Sequence, residues 1–150
     1  MTSARAAPDG EGVATGGCLC GAVRYRVTGP LRPVSYCHCS QCRIQTGLAV
    51  AATSAPRDAF TMTGELRWYA ASDEAERGFC PTCGTLLLWR AHDEDTVSIM
   101  AGSLDDQAAL TADRHIFVAD KPDWHAVSDG LPRYAPSSVG AEPMADDGAG

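Results

Sequence analysis

Seven cysteines fall into three short groups: Cys18-Leu19-Cys20-Gly21, Cys37-His38-Cys39-Ser40-Gln41-Cys42 and Cys80-Pro81-Thr82-Cys83-Gly84. Cys80-x-x-Cys83-Gly84 is a zinc-knuckle pattern. Two intervening residues let both sulfurs face one ion, and the following glycine admits the backbone closely enough for an amide to soften thiolate charge. Cys18-x-Cys20-Gly21 ends in the same way at a tighter spacing. Cys18, Cys20, Cys80 and Cys83 together supply four sulfurs, the tetrahedral set that zinc prefers in a structural site. One ion held this way would staple segments about sixty residues apart and restrain the unfolded chain, in addition to its ligand bonds. Four plain buried cysteines, iron in place of zinc, and a redox pair at Cys80 and Cys83 are other readings of the same residues. The redox pair lacks its usual strand-to-helix setting, because the residues after Cys83 read as a strand.

Cys37, Cys39 and Cys42 sit within six residues. A compact loop can wrap three corners of a tetrahedron and leave the fourth for water or substrate. Zinc with an open position polarises what it binds and lowers the pKa of water or a thiol. Carbonyl and thiol-adduct chemistry fits such a site better than phosphoryl transfer. His38 has a ligand on either side, which turns its side chain elsewhere. It is a candidate acid–base group, with roles as fourth ligand or as packing residue standing beside that one. Ser40 and Gln41 are placed to donate hydrogen bonds to sulfur. Arg43 can offset thiolate charge and attract a carboxylate substrate, or simply be solvated. Spacing also leaves open a polynuclear cluster of all seven sulfurs or a different partition among ions.

The elements that must hold these groups read mostly as strands. Ala22 to Val27 alternates apolar and charged residues and stops at Thr28-Gly29-Pro30. Pro33 to Tyr36 leads into the central cysteines, and Gly47 to Thr53 is a short apolar strand. Phe60–Thr63 and Leu66–Tyr69 flank Gly64-Glu65, which predicts a hairpin. Glu76 to Phe79 runs into the last cysteine pair. Thr85–Trp89 and Thr96–Met100 are expected to pair across an acidic loop that exposes His92. The best helical candidate is a short turn near Leu104 to Leu110, opened by Ser103 or Asp105 as cap. His115 to Val118 reads as a final strand with His115 bonding across it, and Pro122 to Ala126 as one helical turn. The fold class is therefore all-β, a small twisted multi-sheet arrangement with little helix. Residues 1–14 and 135–150 read as flexible ends, the latter acidic, around an ordered domain over 15–134.

The chain has 150 residues with 45% apolar content, but only three Phe, four Tyr and three Trp, so a metal would help complete a modest core. Twelve Lys and Arg in a chain of net charge −7, with no basic block, disfavour nucleic-acid binding. No segment approaches the length of a membrane span, and Met1 to Gly16 has no signal-peptide core. This places the chain in the reducing cytoplasm, where close cysteine pairs bind metal more often than they oxidise.

The ordered run from Gly17-Cys18-Leu19-Cys20-Gly21 through Cys37-His38-Cys39-Ser40-Gln41-Cys42-Arg43 to Phe79-Cys80-Pro81-Thr82-Cys83-Gly84 resembles the glutathione-dependent formaldehyde-activating enzyme family, whose domain is shared with centromere protein V. The resemblance continues through Ala101-Gly102-Ser103-Leu104-Asp105, His115-Ile116-Phe117-Val118, Lys121-Pro122-Asp123-Trp124 and Asp129-Gly130-Leu131-Pro132-Arg133-Tyr134. It implies an Mss4-like zinc fold with two zinc ions: a structural one on Cys18, Cys20, Cys80 and Cys83, and one with an open position on Cys37, Cys39 and Cys42. It further implies a carbon–sulfur lyase that joins formaldehyde to glutathione, giving S-hydroxymethylglutathione. His38 and Arg43 are the candidate catalytic residues, and Arg43, Arg77 and Lys121 the candidate anchors for glutathione carboxylates. Trp68, Trp89 and Trp124 are pocket candidates or packing residues. A zinc module without catalysis, acting in protein interaction or metal handling, is the alternative function.

Overall fold

The computed structural model describes residues 12–108, 110–137 and 141–144. Most of the two end segments expected to be flexible lies outside the described residues. In chain order the strands are Val13–Gly17 (β1), Arg24–Thr28 (β2), Val34–Cys37 (β3), Val50–Pro56 (β4), Phe60–Thr63 (β5), Arg67–Tyr69 (β6), Ala75–Phe79 (β7), Leu86–Ala91 (β8), Thr96–Met100 (β9) and Ala112–Ile116 (β10), with a single α-helix, Ser40–Thr46 (α1), among the described residues. The all-β class with little helix is thus found. No helix among the described residues is long and apolar enough to cross a membrane.

The chain divides into two compact units. The first takes the described residues up to Pro33 and those from Thr53 to Leu110; the second takes Val34–Ala52 and the described residues from Thr111 onward. In the first unit β1, β2 and β5 form an antiparallel sheet in that order, and β4, β9, β8, β7 and β6 follow one another in a second sheet. β2 shows why alternation was a reliable signal: Tyr25 and Val27 are buried while Arg26 and Thr28 are exposed. These residues join Val23, Leu87, Leu88, Val97, Ile99 and Cys80 in one core. In the second unit β10 runs parallel to β3, and β3 antiparallel to the start of β4.

The expected pairing of Thr85–Trp89 with Thr96–Met100 is present as β8 and β9, with Leu88 opposite Ile99. The expected hairpin about Gly64-Glu65 is not. Phe60–Thr63 pairs with β2, whereas Arg67–Tyr69 pairs with β7. A Cβ on Gly64 would lie 2.2 Å from the Ala22 carbonyl oxygen, so this glycine admits a close backbone approach as the chain leaves the first sheet.

The helix expected near Leu104 is also corrected. Its would-be caps are engaged elsewhere: Ser103 bonds the Tyr25 hydroxyl at 2.7 Å, and Asp105 pairs with Arg24 and accepts from Thr15. The Gln107 amide then bonds the Ala101 and Leu104 carbonyls, closing an irregular turn. Likewise Pro122–His125 closes a turn, with the His125 N–H on the Pro122 carbonyl, and goes no further.

β1 begins at Val13, inside the segment expected to be loose. Its small residues carry no periodic signal, but they are what the packing demands. A Cβ on Gly16 would fall 2.3 Å from the Tyr25 hydroxyl and 2.5 Å from the Ser103 carbonyl oxygen. The second of these atoms is backbone and cannot swing away. Gly16→Ala is therefore expected to destabilise the fold by about 1–3 kcal/mol, the usual range for overpacking, read as a lower midpoint in urea.

Candidate metal centres

None of the seven cysteines is in a disulfide, and they gather into two groups, one in each unit. Cys18, Cys20, Cys80 and Cys83 bring their sulfurs within 4.8 Å of one another. Cys18 and Cys20 follow β1, and Cys80 and Cys83 occupy the turn from β7 to β8. Cys80 is fully buried and Cys20 is exposed. The Sγ separations of 3.6 Å for Cys18–Cys20 and 3.8 Å for Cys20–Cys80 can be set against a tetrahedral ion. Zinc–sulfur bonds of about 2.3 Å place sulfurs about 3.8 Å apart, so the donor set fits a metal.

The surroundings prepare these sulfurs for negative charge. The Val23 N–H donates to Cys18 Sγ at 3.2 Å. The Thr85 hydroxyl lies 3.1 Å from Cys83 Sγ and, with backbone N–H groups of Thr85 and Cys20, pulls that thiol down to about 5. Cys20 moves the other way, up to about 11: the Ala22 amide favours its charge, but burial and the thiols of Cys18, Cys83 and Cys80 outweigh it. Thiols this close share charge poorly without a cation among them.

Cys37, Cys39 and Cys42 form the second group, again with sulfurs within 4.8 Å of one another. A strand end and a helix start place them. Cys37 closes β3, and Cys39 is the N-cap of α1, its extended backbone turning the chain and its sulfur accepting from the Cys42 N–H at 3.4 Å. Cys42 follows on the first turn, buried. Gly47, at φ 96°, ends the seven-residue helix and donates its N–H to the Arg43 carbonyl. The Cys37 thiol is driven far above its usual range by Cys39, by Cys42 and by burial. Three sulfurs this close could ionise together only beside a cation, and the donor set fits a soft divalent metal.

Among the described residues no histidine nitrogen joins the three sulfurs within that distance. His38 is 1% exposed, and its Nε2 lies 2.8 Å from His115 Nδ1. His115 Nε2 in turn lies 2.7 Å from Asp129 Oδ2. Tyr36 stacks on the His115 ring at 4.7 Å, and His125 lies 5.9 Å from the His38 ring. Burial, with the added influence of His115, His125 and Lys121, brings His38 down to about 4, so it is neutral at pH 7. For Asp129 burial works against the charge, but bonds from His115 and the Leu131 N–H outweigh it and hold the carboxyl below its usual range. His38 Nδ1 is buried and has no hydrogen-bond partner among the described residues.

The model for glutathione-dependent formaldehyde-activating enzymes matches residues 13–120. An uncharacterized lyase of Schizosaccharomyces pombe is 32% identical over 112 residues, covering 73% of this chain and 82% of its own. A putative glutathione-dependent formaldehyde-activating enzyme of Halomonas elongata is 31% identical over 121 residues, covering 73% of this chain and 77% of its own. The chain belongs to the glutathione-dependent formaldehyde-activating enzyme family. The fold is shared with a crystal structure of a Rhodobacter sphaeroides protein, at a TM-score of 0.50 and 25% identity over 61% of this chain and 87% of that one.

Family membership makes cations and aromatic surfaces the next question. Arg43 is half-buried on α1, directly after Cys42. Lys121, the second candidate anchor, is spent on its own turn, with Nζ donating to the Pro122 and His125 carbonyls. Arg77, the third, is buried in β7 of the first unit at 5% exposure. Trp68 packs against the core with the Arg90 guanidinium 3.7 Å above its ring, and Trp89 is half-buried in β8. Trp124 is 71% exposed beside His125, in the unit that holds the three-cysteine group. Sequence reasoning missed the His38–His115–Asp129 chain. Asp129 lies in the Asp129-Gly130-Leu131-Pro132 run noted with the resemblance above, which was the signal at hand.

Proposed function

We propose that the chain is a zinc-dependent enzyme of the carbon–sulfur lyase class that forms or cleaves a thiol–aldehyde adduct, with S-hydroxymethylglutathione as its substrate. The observation that carries this reading is the three-sulfur group at the β3–α1 corner. Two zinc ions are proposed, one structural on the four-cysteine group within an Mss4-like fold. On the three-cysteine group, zinc would lower the pKa of an adjacent thiol and polarise a small carbonyl.

The chain's own residues supply the rest. Addition makes one carbon–sulfur bond and moves one proton from the thiol to the new hydroxyl; cleavage reverses both. His38, between Cys37 and Cys39 in the sequence, is the proposed carrier of that proton. Arg43 presents a cation to a substrate carboxylate. Cysteines outside any disulfide and a net charge of −7 suit a small thiol in the reducing cytoplasm as substrate rather than nucleic acid.

Zinc-loaded protein mixed with formaldehyde and glutathione is expected to speed adduct exchange about a hundredfold or more, the range of positioned proton transfer, as followed by exchange NMR. No acceleration with glutathione, cysteine or any other small thiol would return the chain to the non-catalytic zinc module. Arg43→Gln is expected to raise KM for glutathione about tenfold, equivalent to about 1.4 kcal/mol, while leaving kcat and the neutral thiol mercaptoethanol unaffected. An equal effect on both thiols would remove Arg43 from carboxylate recognition.

A further inference from the structure

Thr85, two residues after Cys83, touches both halves of the four-cysteine group, and every contact involved lies within the first unit. Its place is fixed by the backbone first. Gly84, at φ 79°, turns the chain back over the Cys80 loop, and its N–H donates to the Cys80 carbonyl at 2.8 Å. The Cys80 N–H in turn donates to the Thr85 carbonyl at 2.9 Å. These two bonds hold Thr85 beside the loop, just before β8 begins at Leu86. Its hydroxyl oxygen then lies 3.1 Å from Cys83 Sγ. The same oxygen accepts from the Leu19 N–H, also at 3.1 Å. Leu19 is the residue between Cys18 and Cys20, sixty-six positions earlier in the chain.

The directions of these bonds follow from the partners. An amide N–H has only a hydrogen to offer, so Thr85 Oγ1 is the acceptor toward Leu19. A sulfur bonded to an ion offers lone pairs alone, so the hydroxyl hydrogen belongs to Cys83 whenever the group holds metal. The hydroxyl thus stands in series between the two cysteine segments, accepting from one and donating to the other. A bond from a hydroxyl to a thiolate is charge-assisted and stronger than one between neutral groups. The two segments come within ligand distance of each other, with Cys20 Sγ 3.8 Å from Cys80 Sγ.

We propose that Thr85 is a positioning residue for the structural metal: its hydroxyl ties the Cys18–Cys20 segment to Cys83, holding the two sulfur pairs together for one ion and steadying Cys83 as a ligand. This rests on the reading of the four-cysteine group as a structural zinc site. Partners one step outside the ligands orient those ligands and tune the metal they hold. A threonine that merely opens β8 would be replaceable by valine, which matches its shape and its preference for strands.

The test uses the full chain reconstituted with zinc or with cadmium, as the parent, Thr85→Val and Thr85→Ser. In Thr85→Val the Leu19 N–H, at an exposed position, can turn to water, so the effect falls on the metal. Competition with a zinc chelator is expected to release one zinc about tenfold more readily than in the parent and the other unchanged. Cadmium NMR should show the four-sulfur signal displaced and the three-sulfur signal in place. Thr85→Ser keeps the hydroxyl and should restore both readouts. Zinc release from Thr85→Val within about twofold of the parent, far short of the usual effect of such a partner, would overturn the proposal. So would a Thr85→Ser chain that releases zinc as readily as Thr85→Val, since shape and not the hydroxyl would then be at work. If Thr85→Val does not fold, Thr85→Ser still decides: the parent's release and cadmium shift are expected, and a metal held about tenfold more weakly would overturn the proposal. A parent chain that takes up no metal on Cys18, Cys20, Cys80 and Cys83 would instead overturn the zinc reading beneath it.

Discussion

Cys80→Ser is expected to cost the chain its cooperative fold. Cys80 is fully buried within the core, beside Leu87, Leu88 and Ile99, and its sulfur lies 3.8 Å from that of Cys20, sixty positions earlier. A cross-link closing a loop of that length removes about 4 kcal/mol of chain entropy from the unfolded state. Ligand bonding adds to this: structural zinc in small domains contributes about 10–16 kcal/mol, comparable to the whole stability of a typical domain. Serine substitutes a hard, protonated oxygen that binds soft metal poorly, and it buries a hydroxyl where the thiol was packed. The expected drop in melting temperature is about 15 °C or more, with at least one equivalent of zinc lost. Calorimetry with metal analysis checks both. A variant that melts within a few degrees of the parent and keeps its zinc would mean that the four-sulfur group does not hold the fold together.

Cys39→Ser should have the opposite profile, with a large effect on chemistry and a small one on stability. Cys39 is one of three sulfurs in its group and also the N-cap of α1, accepting from the Cys42 N–H. Serine is among the preferred N-cap residues, so the substitution keeps the helix start while removing a soft metal ligand. The expected outcome is loss of one zinc per chain and of at least about a hundredfold in adduct exchange rate. The melting temperature should stay within about 4 °C, the shift that roughly 1 kcal/mol produces in a domain of this size. Retained activity with one zinc lost would place the chemistry away from Cys37, Cys39 and Cys42.

The two variants separate because the sequence separates the cysteines. Spacing and the Cys-Gly endings paired Cys18 and Cys20 with Cys80 and Cys83, and the structure brings the same four sulfurs together. Strands with clear alternation, such as Arg24–Thr28, and the pairing of β8 with β9 were equally legible, because a half-buried strand imprints its period on the residues themselves. What failed was whatever depended on partners distant in sequence. Gly64-Glu65 looks like a hairpin turn locally, yet Phe60–Thr63 finds its neighbour in β2. Ser103 and Asp105 look like helix caps, yet Tyr25 and Arg24 engage them. α1 is only seven residues long, too short to show a helical period, and its cap is a cysteine already accounted for as a ligand. His115 was legible as a strand residue but not as a bridge, since neither His38 nor Asp129 is near it in sequence.

The proposed function divides the cysteines between one closed metal and one that a substrate can reach. Cadmium NMR of the reconstituted chain tests it most directly. Two cadmium signals are expected, one with the shift of four sulfurs and one with that of three. Added glutathione should move only the second, and Cys39→Ser should abolish that signal alone. A single signal, or a second signal indifferent to every thiol, would contradict the division into a closed and an open site.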